Sequence, residues 1–296
     1  MPYKENSTEE LLELMNLEPL EVNLFRGESR DIGTPRVFGG QVLAQSVLAA
    51  SRTVDEGTIH SLHSYFLRAG DPEAPIVYNV ERSRDGRSFK ARRVVAIQHG
   101  RPIFTLAASF QLEQEGAEHQ FDMPDVPMPE ELSSESKVSE ADLAQIPAFL
   151  RRWFTRTGPF DFRRVQASNL FHPKPAEPRL DIWFKLNEKI EAAPIMHTAL
   201  MAYASDFHLV GTAIRPHGVS IVQGNVVMAS LDHAMWFHRP ARVDEWLLYS
   251  CDSPSSGGGR GLARGLIYDR SGRLVASTAQ EGMIRIGERP EKGQVK

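Results

Sequence analysis

Three polar residues stand in apolar company along this chain: Asp206 in MAYASDFHLVG (201–211), Ser230 in VVMASLDHAMWF and Gln280 in LVASTAQEG. A carboxylate, a hydroxyl and an amide are the parts needed to hold and deprotonate one water molecule. The carboxylate takes the proton, and the other two fix where the water sits. Asp206 is the centre of that reading. From Met196 to Val210 the residues are apolar or small on nearly every side, which suits a helix enclosed by other structure. An acid there is unfavourable unless hydrogen-bonded or paired, so either a structural partner neutralises it or a function retains it.

Other chemistries lack their residues. No Gly-x-Ser-x-Gly elbow, paired cysteines or His-Glu-x-x-His stretch occurs, and Cys251 has no nucleophile signature around it. His60-x-x-His63 and the pair His233 and His238 have donor atoms for a metal, but strand histidines are read first as hydrogen-bonded packing residues, so no metal or cofactor is expected. SSGGGRG (255–261) matches neither a Walker nor a dinucleotide pattern and is read as a hairpin loop.

The elements that must position these residues fall into two similar halves. Ser7-Thr-Glu-Glu10 caps a short helix with Leu11, Leu14 and Met15 on one side. A helix over 38–54 (FGGQVLAQSVLAASRTV) precedes four strands, IHSLHSYFL, PIVYNVERSR, SFKARRVVAIQ and PIFTLAASFQL, joined by turns at Gly70-Asp71, Asp85-Gly86 and His99-Gly100. Residues 113–140 are acidic, contain Pro124, Pro127 and Pro129, and form a linker; a Ser139-x-x-Asp142 cap then predicts a linker helix over 140–154. Strands FDFRRVQA and RLDIWFKL follow, then the Asp206 helix, then SIVQ, VVMASLDHAMWFH, EWLLYSCDS, GLARGLIYD and LVASTAQEGMIRI.

Laid side by side, SLHSYFLR faces DHAMWFHR at an offset of 171, ARRVVAIQHGR faces ARGLIYDRSGR at 172, and AASFQ faces ASTAQ at 169. The chain is thus a duplicated unit of one helix and an antiparallel sheet, an α+β fold of the double hotdog layout, in which each half covers the other's open edge. The expected division is an N-terminal unit over 1–115, a linker over 116–158 and a C-terminal unit over 159–296 that carries the chemistry. The first helix has no acid within GGQVLAQSVLAAS, so Asp206 marks specialisation of the second half.

A net charge of −4 gives no basic field, which argues against nucleic acid or an anionic membrane as partner. No apolar run is long enough to span a bilayer, the N-terminus lacks a signal-peptide pattern, and a lone cysteine fits a reducing compartment, so a cytoplasmic protein is expected.

YASDF, SLDHAMWFHRP followed by EWLLY, RGLARG and VASTAQEGMIR, with GGQVLAQ, HSYFLRAGD, DGRSFKARRV and PIFTLAASFQ in the first half, resemble the type II acyl-CoA thioesterases from about Gly33 to Ile286. The resemblance implies a double hotdog fold and hydrolysis of fatty acyl-CoA to fatty acid and CoA. The family's acid, hydroxyl and amide that activate water fall on Asp206, Ser230 and Gln280, the same three residues. Ser230 stands where the bacterial enzyme has threonine, and Ala69 where the family motif has proline. A developing oxyanion needs donors, for which the helix opening at Gly39-Gly40 is a candidate. Arg68, Arg92, Arg93, Arg260 and Arg264 are candidates for CoA phosphates. A homo-oligomer, dimer or tetramer, is expected, since Met235 and Phe237 alternate with Trp236 and both sheet faces would need cover.

Two other functions remain open on sequence. One is a non-catalytic acyl-CoA binder with a structural Asp206. The other is a hotdog enoyl-CoA hydratase, which would need a histidine beside the acid; on a continuous helix His208 lies about 200° around from Asp206 and points away.

Overall fold

Ser7 opens the first helix, its Oγ accepting from the Glu10 N–H at 3.2 Å, and α1 (Thr8–Leu14) turns Leu11 and Leu14 inward. The computed structural model describes residues 7–134, 146, 151, 158–166, 169 and 171–287. Two short strands the sequence reading did not anticipate, β1 (Glu18–Glu21) and β2 (Leu24–Gly27), come next. Then follow α2 (Gly39–Ser51) and β3 (Thr58–Phe66), β4 (Ile76–Asp85), β5 (Phe89–Gln98) and β6 (Arg101–Gln111). His99 and Gly100 both take positive φ, 48° and 71°, which closes the β5–β6 hairpin in two residues with a twist matching the strands.

The second half repeats this plan with β7 (Phe160–Arg164), β8 (Arg179–Leu186), α3 (Pro194–Ser205), α4 (Leu209–Thr212), β9 (Val226–Ser230), β10 (Asp232–Phe237), β11 (Leu247–Gly257), β12 (Arg260–Asp269) and β13 (Leu274–Ile286). The strands join in one antiparallel sheet of order β1-β2-β4-β5-β6-β3-β10-β13-β12-β11-β8-β7, with β9 also paired to β13. The seam is β3 against β10, where Leu62 faces Met235, His63 faces Ala234 and Ser64 faces His233. At the 171-residue offset Leu62 corresponds to His233 and Ser64 to Met235, so the Leu62–Met235 and Ser64–His233 pairs are images of each other. A pseudo-two-fold axis therefore passes beside His63 and Ala234, and each unit closes the other's edge as in an isologous interface.

Both long helices lie on the inner face. Every residue of α2 from Gly40 to Ala50 is buried, as is α3 from Ala199 to Ser205. Burying a side chain such as Leu43 or Leu200 contributes about 1.5–3 kcal/mol, and that burial, not intrinsic propensity, holds helices carrying so many small residues. The helices approach closely at Gly40, where an added Cβ would sit 2.4 Å from the Tyr203 carbonyl oxygen. On the outer face the linker runs across the second unit, packing Met123, Val126 and Leu132 on Trp183, Leu248, Tyr268 and Leu274, and Trp183 Nε1 donates to the Pro127 carbonyl at 2.9 Å. The linker helix expected over 140–154 falls outside the described residues save Ile146 and Arg151.

Four sequence expectations change. The Asp206 helix ends at Ser205; Asp206 is its C-cap, and His208 opens the separate turn α4. SIVQ forms turns, not a strand. VVMASLDHAMWFH divides at Leu231 into β9 and β10. Finally, the AASFQ–ASTAQ match at offset 169 and the ARRVVAIQHGR–ARGLIYDRSGR match at offset 172 both slip against the strand pairing. Ala108 stands opposite Leu62 and Arg92, while Gln280 stands opposite Ala263 and, one step beyond the Ala234–Ala279 pair, His233. Ala108 is therefore the counterpart of Gln280.

Candidate active site

The end of α3 brings Asp206 to the start of α2 and under β13. Its side chain is 5% exposed, and Gln280 Nε2 on β13 donates to its Oδ1 at 2.7 Å. The Gly40 N–H and the Ser230 hydroxyl also donate to the carboxylate. Gly39 lies so close that an added Cβ would stand 2.6 Å from Asp206 Oδ2. Only a residue without a side chain lets the first turn of α2 approach the acid this way.

Burial disfavours the ionised carboxyl and pushes it from 3.8 to about 6, while the donations from Gln280, Gly40 and Ser230 pull in the opposite direction. The carboxylate is thus ionised at neutral pH and more basic than an exposed one. That is the setting a general base needs.

Ser230 reaches the site through an irregularity. It pairs with Gly282, and Ala234 pairs with Ala279, so four steps on the β9–β10 side match three on β13. The extra residue is a bulge between Ser230 and Ala234. Strict alternation from Ser230 would turn His233 to the opposite face. With the bulge, Ser230 and His233 both share the face of Gln280.

His233 is the residue of this cluster that sequence reasoning did not place, having considered it only as a metal ligand or packing group. It is fully buried, its Nε2 is 3.0 Å from Ser205 Oγ, and its Nδ1 is 4.0 Å from Asp206 Oδ1. Burial lowers its pKa to about 4, against a raising hydrogen bond with Gln280, so the ring is neutral at pH 7. The available signal was its position two residues before Met235 and four before Phe237, on the inward-facing alternation of β10. His208, in contrast, sits with Nδ1 3.3 Å from Arg164 Nη2 and its ring edge against Phe162.

An aromatic group flanks the acid. Phe38 packs on Phe207 at 4.4 Å and on Tyr203 at 5.0 Å between centroids, with Phe162 against Phe207 and Phe66 beside Gly39.

The Gly39-Gly40 opening is where the sequence put it, but the Gly40 N–H is directed at Asp206 and is not a free oxyanion donor. Of the five arginines, Arg92 departs furthest from expectation: it is 2% exposed, with Nε on Thr53 Oγ1 and Nη2 on the Thr53 carbonyl and Asp85. Its guanidinium is committed inside the first unit and is not offered to a phosphate. Arg68 is exposed and bonds the Pro102 carbonyl. Arg93, Arg260 and Arg264 are exposed and face Glu81, Glu281 and Asp252. None of the five contacts the Asp206 cluster. His60 and His238 bond Ser109 and Ser277, and His63 packs edge-on to Trp236, as packing residues do. Residues 255–261 close the β11–β12 hairpin through Gly258 and Gly259, both at positive φ.

Two protein families match this chain. Residues 26–111 match the acyl-CoA thioesterase N-terminal domain, and residues 125–284 match the acyl-CoA thioesterase C-terminal domain. Human acyl-coenzyme A thioesterase 8 is 43% identical over 283 residues, covering 92% of this chain and 88% of that protein. Acyl-CoA thioesterase 2 of Haemophilus influenzae is 41% identical over 279 residues, covering 94% and 98%. Among solved structures, an acyl-CoA thioesterase II from Mycobacterium marinum superposes with a TM-score of 0.77 at 42% identity, covering 93% of this chain and 98% of that one.

Proposed function

This chain belongs to the type II acyl-CoA thioesterases and hydrolyses acyl-CoA thioesters, and we propose that its substrates are fatty acyl-CoAs and that Asp206, Ser230 and Gln280 activate the attacking water. The observation that carries this reading is a buried carboxylate held by Gln280 Nε2 at 2.7 Å, with burial raising its pKa to about 6. Asp206 takes a proton from water as the water oxygen bonds to the thioester carbon. Ser230 and Gln280 fix the carboxylate and, with their remaining hydrogen-bonding capacity, the water. The carbonyl becomes an oxyanion, for which the Gly39 N–H in the first turn of α2 is the proposed donor, since first-turn amides have no intrahelical partner. Collapse re-forms the carbonyl, breaks the C–S bond and expels the CoA thiolate, which takes up a proton. The products are one fatty acid and one CoA thiol.

The aromatic group formed by Phe38, Phe162 and Phe207 offers an apolar wall for the acyl chain beside the acid. Arg68, Arg93, Arg260 and Arg264 remain the candidates for CoA phosphates.

A hydratase would pair an acid with a histidine, and His233 does stand beside Asp206. Its Nδ1 is enclosed, however, and its Nε2 is bonded to Ser205, so the ring is placed to act on neighbouring side chains. Release of CoA thiol from palmitoyl-CoA, followed with a thiol reagent, is the test, because only hydrolysis yields it; an absence of release from fatty acyl-CoA overturns the proposal.

We further propose a cytoplasmic homo-oligomer. Among the described residues no helix is long and apolar enough to cross a membrane, and Cys251 is a buried free thiol. At the seam, Tyr65 and Trp236 remain 61% and 36% exposed on the outer face while Met235 is fully buried, as alternation predicts. Light scattering at micromolar concentration tests it, and a mass of one chain throughout that range overturns it.

A further inference from the structure

We infer that His233 is a positioning residue of the hydrolytic site, a neutral imidazole whose Nδ1–H donates to Gln280 Oε1 and holds the amide with its NH2 turned to Asp206. The inference deepens the role proposed for Gln280. Four observations carry it.

The β10–β13 register sets His233 opposite Gln280, one step past Ala234–Ala279, and both residues are fully buried on the inner face. Their facing polar atoms, His233 Nδ1 and Gln280 Oε1, are both enclosed and have no other hydrogen-bond partner. A buried amide oxygen without a donor is destabilising, and so is a buried ring N–H without an acceptor; each is the complement of the other.

The tautomer follows from what surrounds the ring. Ser205 Oγ lies 3.0 Å from Nε2 and 2.9 Å from the Ala202 carbonyl, and its one proton is assigned to Nε2. Nδ1 then carries the hydrogen, directed into the space occupied by Gln280 Oε1 and by Asp206 Oδ1 at 4.0 Å. The reverse tautomer would turn a nitrogen lone pair toward two oxygen acceptors. With Nδ1–H in place, the amide oxygen is anchored and Gln280 Nε2 is directed at Asp206, leaving its second hydrogen for the water.

The first half supplies the control. At the corresponding inward positions β3 and β6 carry Leu62 and Ala108, also opposite each other and buried, with no polar atom on either side chain. The sheet geometry therefore accepts an apolar pair here, and the polar pair occurs only in the half that carries Asp206.

The full-length enzyme tests this in two ways. Nitrogen-15 NMR of histidine-labelled protein, with the His233 signal assigned by its loss in His233→Asn, should show a neutral ring at pH 7 with hydrogen on Nδ1. Hydrogen on Nε2, or a charged ring, overturns the inference. In kinetics on palmitoyl-CoA, His233→Leu installs the side chain found at the counterpart position and should lower kcat by about 10-fold to 100-fold with KM unchanged. His233→Asn, whose amide can replace the Nδ1–H donor, should recover most of that loss. Equal losses in both variants, or an unchanged kcat in His233→Leu, would overturn the positioning role. Should Gln280→Ala keep full turnover, the reading of Gln280 itself fails. If Gln280→Ala is inactive and His233→Leu is not, only the role of His233 fails.

Discussion

The C-terminal ends of α2 and α3 are equivalent places in a duplicated fold, and they are built oppositely. Helix α2 ends on Arg52, a cation at the negative end of the helix, whose guanidinium bonds the Leu17 carbonyl and lies over the Phe25 ring. Helix α3 ends on Asp206, an anion at its own helix's negative end, held by donors from α2, β9 and β13. The strands beneath differ in the same sense. In the first unit the polar inward residue of the opposed β5–β6 pair is Arg92, facing Ala108; in the second it is Gln280, facing Ala263. Arg92 fills the space beyond α2, satisfies Thr53 and pairs with Asp85, so that end is closed with its charge neutralised. The second end keeps a carboxylate made costly by burial. One frame thus supports a closed end and the end proposed to carry the chemistry, and the difference rests on a handful of inward positions.

The largest expected effect separates the two caps. Asp206→Asn should reduce turnover of palmitoyl-CoA by about 10²-fold to 10⁴-fold, the loss expected when a general base is removed, while Arg52→Gln should leave kcat within about 2-fold. Comparable losses in both would erase the functional asymmetry.

Ser230→Ala and Gln280→Ala should each reduce kcat by about 10-fold to 10³-fold, and the double variant should lose less than the product, because both groups hold the same carboxylate and water. Strict multiplication of the single effects would separate their roles.

Stability should change in the opposite direction from activity. The folded protein holds the Asp206 proton up to about pH 6, whereas the unfolded chain releases it near 3.8. The folded state therefore binds more protons between these values, and stability falls as pH rises through that window. Above pH 6 the full penalty, about 3 kcal/mol, is in place. Asp206→Asn should accordingly unfold at higher denaturant concentration than the parent at pH 8, with the gap closing toward pH 4; a destabilised variant at pH 8 would contradict a strained carboxylate.

The first unit should behave the other way. Arg92→Met removes donors from Thr53 and should cost about 2 kcal/mol in equilibrium unfolding, with kcat per folded molecule unchanged. A selective loss of kcat would bring Arg92 into the chemistry.

The smallest and most direct signal is the pH profile. The acid limb of kcat/KM should fall by about tenfold per pH unit below an apparent pKa near 6 and flatten above it. A limb centred near 4 would describe an ordinary exposed carboxylate.

Alternation along the strands, the two apolar helices, the repeat and the isolation of Asp206 among apolar residues were all legible in the sequence, because each is a pattern among chain neighbours. Burial of Met235 beside exposed Trp236 follows directly from that pattern. The proposed site residues Asp206, Ser230 and Gln280 stand out in the sequence for the same reason, as polar groups where a buried face is predicted. Three features were not legible. Apolar character continues through Phe207 to Val210, so nothing local marks the end of α3 at Ser205; packing against α2 and β13 places Asp206 as the cap. The match of Gln280 to Ala108 depends on which residues face each other across β3, β5, β10 and β12, a register that single-strand similarity does not contain. The bulge between Ser230 and Ala234 is set by pairing with β13, about fifty residues further along, and it reverses the face that alternation counted from Ser230 would assign to His233. A chain's own periodicity decides which residues are buried, but the partner strand decides where that periodicity slips, and here the slip brings a hydroxyl and an imidazole to the same carboxylate.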